Sequence, residues 1–273
     1  DPRGGMSSVW HGYQHVLRWV TVFFSLDAFT VVQTASCLLG VPFVFLAGKF
    51  ARIVALTVWG QSAAFGLILA SGALQFYFGY GEGYPPLPVV TLAFAALGLR
   101  SIRYRRPPYL PVSIALLASL FHSILITMIP AAIYLLLIRL DGKNRKRIGT
   151  PLAVLIGLIL IVFLIIRIGA DEASTSTEST LIALFSTDES PYALLTMDHI
   201  WERLNSLMIC GPPVLLILVI SAPKLFKLIR SWDPMTVFLV ALAAPFTAAH
   251  LTCNFVFGAL DWDVLTATGF PLV

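Results

Sequence analysis

Apolar residues do not alternate along this chain; they come in long runs, broken only by scattered polar residues, with more polar stretches between them. A run of about 18 or more such residues is long enough to cross a bilayer as a helix. The runs extend from Ala28 to Ala47, Ile53 to Phe76, Pro86 to Leu99, Pro151 to Ile168, Leu204 to Ala222 and Pro234 to Phe257. A further stretch, Tyr109 to Leu140, is too long for one ordinary crossing at about 1.5 Å per residue and contains Pro111, His122 and Pro130. It is expected to fold as a hairpin of two short helices, since proline removes a backbone donor and clashes with the preceding turn. Ahead of the first run, Val9 to Leu26 sets Trp10, Trp19, Phe23 and Phe24 among His11, Gln14, His15 and Arg18. That mixture predicts an amphipathic helix lying in a membrane interface. The expected fold is all-α, a polytopic transmembrane bundle of about eight membrane helices plus the interfacial helix.

Composition narrows the class. The chain is 58% hydrophobic and 12% charged, with a mean hydropathy of +0.87. An ordinary soluble domain carries charge on about a quarter of its residues, so a large soluble domain is excluded and one membrane domain is expected. Cys37, Cys210 and Cys253 each lie inside an apolar run without paired spacing, which argues against a disulfide framework or a zinc site.

The placement of charge orients the chain. Lys49 and Arg52 follow one run; Arg100, Arg103, Arg105 and Arg106 follow another; Arg139, Lys143, Arg145, Lys146 and Arg147 form a third group; Lys224, Lys227 and Arg230 form a fourth. By the positive-inside rule these face the cytoplasm. The intervening stretches carry Glu82, then Asp171, Glu172, Glu178, Asp188, Glu189, Asp198 and Glu202, then Asp261 and Asp263, with Arg203 the single base. They belong outside. The two sets alternate only if Tyr109 to Leu140 crosses twice, with its turn near Phe121 and His122 on the outer side. The expected organisation is an outer interfacial segment at 1–26, the first six helices within 28–170, an outer polar loop at 171–203, and two helices with an outer loop at 204–273. The expected location is the inner, cytoplasmic membrane, with residue 1 outside and the chain truncated at both ends.

Chemistry has three candidate settings, all in the outer set. The first is Gln75 to Pro86, where glycines and prolines break the helix and Glu82 is the lone charge among Tyr77, Tyr80 and Tyr84. Tyrosine joins an apolar ring to a polar tip, which suits a sugar face or a membrane boundary. An acid held near a bilayer is costly unless used or paired, though an interfacial turn with a solvated acid also accounts for it. The second is Asp198, His199, Glu202 and Asn205, spaced to share a helical face; His199 and Glu202 have metal-ligand spacing, while Asp198 reads equally as an N-cap. The third is His250 and Asn254, one turn apart in the last run, followed by Asp261, Trp262 and Asp263. Polar groups inside membrane helices usually face a bundle interior or a cavity. His122 in the hairpin turn reads as hydrogen-bonded structure or as a site residue, and His11 and His15 as phosphate contacts or as interfacial side chains. No Gly-rich nucleotide loop, nucleophile elbow or HExxH motif is present; nucleic acid is not an expected partner.

In order and character these features resemble bacterial members of the GT-C superfamily, integral-membrane glycosyltransferases that use polyprenyl-phosphate-linked sugars. The resemblance rests on the His11/His15 segment, the Ser25 to Phe29 approach to a run, Phe78 to Pro85, the Phe121-His122 turn, His199 to Asn205, and Asp261-Trp262-Asp263. It implies sugar transfer from a lipid-phosphate donor to an acceptor on the outer face, with a carboxylate as general base and basic or polar groups holding the phosphate. Glu82 is then the expected catalytic carboxylate. Tyr80, Tyr84, His11, His15, His122, His199, Glu202, His250, Asn254, Asp261 and Asp263 are expected to bind substrate. No resident cofactor is assigned beyond the lipid-linked donor, with room for a divalent metal. Partners are membrane lipids, the polyprenyl-phosphate sugar and other proteins of a membrane complex. A non-catalytic subunit of such a complex, or a transporter, is the competing class. In an enzyme, Glu82, His122, His199, His250 and Asp261 are expected to line one cavity.

Overall fold

The computed structural model describes residues 12–80, 84–140, 196–210, 223–224, 227 and 233–252. They are helical, with no strand among the described residues. The elements are α1 (Gly12–Phe24), α2 (Ala28–Val54), α3 (Val58–Leu69), a 3-10 segment (Gly72–Tyr77), α4 (Pro86–Arg103), α5 (Tyr109–Phe121), a second 3-10 segment (Ser123–Met128), α6 (Ile129–Leu140), α7 (Met197–Cys210) and α8 (Pro234–Thr252). The expected crossing at Pro151 to Ile168, the loop at 171–190 and most of the run from Leu204 to Ala222 lie outside the described residues.

Each boundary has a local cause. Helix α1 closes with Leu26 N–H donating to the Thr21 carbonyl at 3.1 Å, while Ser25 takes a left-handed backbone at φ 51°. Two residues on, the Asp27 carboxylate accepts from Thr30 N–H at 2.8 Å and starts α2. That bond holds the Asp27 carboxyl below its ordinary value of 3.8. Because the folded value is the lower one, the cap contributes fully above pH 3.8 and its contribution is lost as pH falls through the depressed value. Asparagine caps without a charge, so Asp27→Asn is expected to keep α2 and remove this part of the acid sensitivity; comparing melting temperatures of the two proteins down an acid series checks it.

Helix α2 runs past the expected end at Ala47 and carries Lys49 and Arg52 within its last turns. Both are good helix formers, so charge alone did not stop the helix. The expected second crossing, Ile53 to Phe76, is instead divided: α3 ends at Leu69 and a 3-10 segment follows. The Ser71 hydroxyl donates to the Ile68 carbonyl at 2.6 Å, a local bond that competes with helix continuation. Pro86 opens α4 at a position where its missing N–H costs nothing. Helix α5 stops at Phe121, as the hairpin reading expects, and a 3-10 segment joins it to α6.

Helix α4 is the centre of the packing. It buries Leu87, Leu92, Phe94, Ala95 and Leu99 and lies against α2, α5 and α8. Gly98 lets α8 approach: a Cβ there would stand 2.3 Å from the tip of the Phe238 ring. Phe238 is itself fully buried and packs on Phe94 at 5.6 Å between ring centroids. On the other flank Gly40 of α2 meets the 3-10 segment, where an added Cβ would be 2.9 Å from Tyr77 Cβ, and the buried Ser36 hydroxyl donates to the Phe76 carbonyl.

Arg103, Arg105, Arg106 and Arg139 stand at one end of the bundle. Arg103 of α4 donates to the Ile53 carbonyl of α2 at 2.7 Å, joining the C-termini of those helices. A cleft bounded by Arg105, Arg106, Pro108 and Arg139 brings the C-terminus of α6 beside the start of α5, so α5 and α6 are antiparallel. Helices α2 and α4 are long and apolar enough to cross a membrane; α3, α5 and α6 are apolar but shorter, about 18–20 Å each at 1.5 Å per residue. Trp19, Phe23, Phe24, Leu38, Val41 and Phe45 are exposed on α1 and α2.

Candidate functional site

The opposite end of the bundle holds His122 and His250. Its frame is Tyr77, whose hydroxyl donates to the Pro85 carbonyl at 3.1 Å and whose ring lies 4.7 Å from Phe43. This bond clasps together the two ends of the segment that contains Glu82. Gly79 has φ +86° beside Gln33, a backbone that glycine alone adopts freely. Tyr13 of α1 lies beside Tyr77, and burial pushes its hydroxyl up to about 12.

An aromatic row leads from this frame to the hairpin turn. Tyr80 meets Phe76 at 5.3 Å, Phe76 meets Tyr84 at 6.4 Å, and Tyr84 meets His122 at 5.8 Å, all centroid to centroid. Tyr80, Tyr84 and His122 are each half-buried. His122 Nδ1 accepts from Ile124 N–H at 3.2 Å, which leaves the proton of a neutral ring on Nε2. The side chain therefore caps the second 3-10 segment, while its ring also meets that of Tyr84.

Helix α7 packs on the first 3-10 segment. Its first-turn N–H at His199 is met by the Thr196 hydroxyl at 3.4 Å, so Thr196 is the cap and Asp198 is not. The expected shared face of Asp198, His199, Glu202 and Asn205 is divided: Asp198 and Asn205 are exposed, Glu202 is half-buried, and His199 is buried. Among the described side chains of α7 the other buried polar one is Arg203, 3% exposed against 2% for His199. They stand one turn apart on the same side of α7. Sequence reasoning set Arg203 aside as the single base among acids, although its spacing from His199 was the signal that could have found it.

His250 is fully buried near the end of α8. Phe238, level with Gly98 of α4, lies twelve residues earlier, and the about 18 Å rise between them carries His250 toward the start of α4 and the second 3-10 segment, against which α8 packs. His15 is exposed on α1 and is not part of this row. Glu82, His11, Asn254, Asp261 and Asp263 lie outside the described residues. Among the described residues no three of His, Cys, Asp and Glu stand close enough to hold a metal ion.

The described residues offer a buried arginine and histidine on α7 and a row of rings leading to the hairpin turn; a guanidinium suits an anion and a tyrosine ring an apolar or sugar surface. No family model matches the chain, and no curated protein or solved structure is significantly similar to it.

Proposed function

We propose that this chain is a polytopic membrane protein of about eight crossings that acts as a glycosyltransferase, moving a sugar from a polyprenyl-phosphate donor to an acceptor at its histidine-bearing end. The observation that carries this reading is the burial of His199 and Arg203, one turn apart on α7, a helix that touches the Gly72–Tyr77 segment. The planar fork of the Arg203 guanidinium suits a phosphate oxygen pair. The gathering of Arg103, Arg105, Arg106 and Arg139 at the other end supports an orientation with that end cytoplasmic and the histidine end outside.

In this reading Arg203 and His199 hold the donor phosphate, and Tyr80 and Tyr84 flank the sugar. Glu82, between the clasped ends of its segment, takes the proton from the acceptor hydroxyl. That oxygen bonds to the anomeric carbon as the bond from that carbon to the phosphate oxygen breaks, and the polyprenyl phosphate leaves with the electron pair. The protein is to be reconstituted in vesicles with a polyprenyl-phosphate sugar and an acceptor lipid. Glu82→Gln is expected to slow transfer by about 10²–10⁴-fold, the usual worth of a general base, and Arg203→Gln by about 10²–10³-fold. Unchanged transfer in both variants overturns this assignment of the site.

A further inference from the structure

The arginine-bearing end holds a second site, distinct from the row of rings and not used by the proposed transfer. A cleft of about 90 Å³ opens between the C-terminus of α4, the start of α5 and the C-terminus of α6. It is several times the roughly 10–15 Å³ that one water requires, and Arg105, Arg106 and Arg139 line it.

Arginines near helix C-termini often serve only to meet terminal carbonyls. Arg103 does so here, through its bond to Ile53. The cleft arginines differ: among the described residues, Arg105, Arg106 and Arg139 have no side-chain hydrogen bond or ion pair. The α4 carbonyls are met by backbone instead, Arg106 N–H donating to the Ser101 carbonyl at 2.9 Å and Arg105 N–H to Ile102 at 3.4 Å. That closure places Arg105 at φ 51°, the position glycine usually fills. An arginine kept there at a backbone cost of about 1 kcal/mol puts a guanidinium at the cleft where glycine would have made the easier turn.

The floor of the cleft adds to the positive field. Pro108 lines it and stands at the N-cap of α5, with no side chain meeting the first-turn N–H groups. Those donors and the helix dipole both favour an anion. The Ser101 hydroxyl is committed to the Leu97 carbonyl at 2.9 Å, so the guanidinium forks and the α5 start supply the donors. The half-buried Ile138 adds an apolar side to the lining, which a free hydrated anion does not need and an acyl chain does.

We propose that this cleft binds a phosphate group, that of an anionic phospholipid whose chains run along α5 and α6. The proposal rests on the membrane reading above, but not on sugar transfer. Each arginine near a membrane surface is worth roughly fivefold in affinity for an anionic headgroup. Removing three is therefore expected to weaken binding by about 100-fold.

The full chain is to be purified in detergent and returned to nanodiscs of phosphatidylcholine with or without phosphatidylglycerol, its melting temperature being followed. The expected result is a higher melting temperature with phosphatidylglycerol, lost in Arg105→Gly/Arg106→Gln/Arg139→Gln. Arg105→Gly alone keeps the turn, because glycine accepts a positive φ, and is expected to lose about fivefold in phosphatidylglycerol affinity while folding as well as the parent. A parallel arm adds inorganic phosphate at constant ionic strength. Protection there, lost in the triple variant, supports the same cleft with free phosphate as its source. Equal responses of parent and triple variant in both arms overturn the site. Co-flotation of both proteins with pure phosphatidylcholine vesicles is the separate check on the membrane reading, since neutral lipid offers no net anionic charge.

Discussion

Gly98→Ala is expected to destabilise the protein by about 3 kcal/mol, the upper end of what overpacking a core costs. Alanine normally favours a helix over glycine by about 1 kcal/mol, so a loss identifies the contact with α8 as the cause. The new methyl would lie 2.3 Å from Phe238 Cζ and 2.9 Å from Cε2. The ring cannot swing away, being fully buried against Phe94. Phe238→Leu removes the obstructing atoms, so the double variant is expected to lose less than the sum of the single losses, with a coupling of about 0.5–3 kcal/mol. Gly66→Ala is the control: nothing lies within 4 Å of the added atom. Melting temperatures of the four variants in one detergent decide it; a Gly98→Ala protein as stable as the Gly66→Ala protein removes the close α4–α8 approach.

Gly40→Ala is expected to act on the site as well as on the fold. Its Cβ would come within 2.9 Å of Tyr77 Cβ, an atom fixed to the backbone rather than the loose end of a side chain. The 3-10 segment must therefore move, disturbing the Ser36 bond to Phe76 and the Tyr77 bond to Pro85. Loss of a buried bond of this kind leaves an unmet carbonyl at about 1–3 kcal/mol. In the proposed enzyme, a misplacement near 1 Å of the clasped segment is expected to slow transfer by about 10²-fold. Gly48→Ala, on the same helix and 4.0 Å from its nearest neighbour, is expected to keep both stability and transfer. Equal transfer rates in the two variants separate Gly40 from the site.

The parts of the fold legible in the sequence were those written in proline, in polarity and in long apolar period. Pro86 marked the start of α4, and the Phe121-His122 break and the amphipathic α1 follow from interrupted or mixed runs. The ends of α2 and α3 were not legible, because they depend on competition between neighbours. Lys49 and Arg52 are charged but helix-forming, and Ser71 stops a helix through a single bond to Ile68. The site was legible in part for a related reason. Tyr80, Tyr84 and His122 stand near sequence breaks, where polar groups attract notice. Arg203 was obscured because grouping by acidity favoured Asp198 and Glu202, whereas packing selects by the direction in which each turn of α7 faces.

The length of α2 carries a mechanical consequence. From Ala28 to Gly48 it is 21 residues, about 32 Å at 1.5 Å per residue, close to the roughly 30 Å of a hydrocarbon core. The six residues beyond, Lys49 to Val54, continue the same rod past that slab and end where Arg103 grips Ile53. In a membrane this stub is a depth gauge: Lys49 and Arg52 resist being drawn into lipid, and the attached α4 moves with them. A thinner bilayer would then be met by leaning of the α2–α4 pair rather than by sliding of one helix past the other.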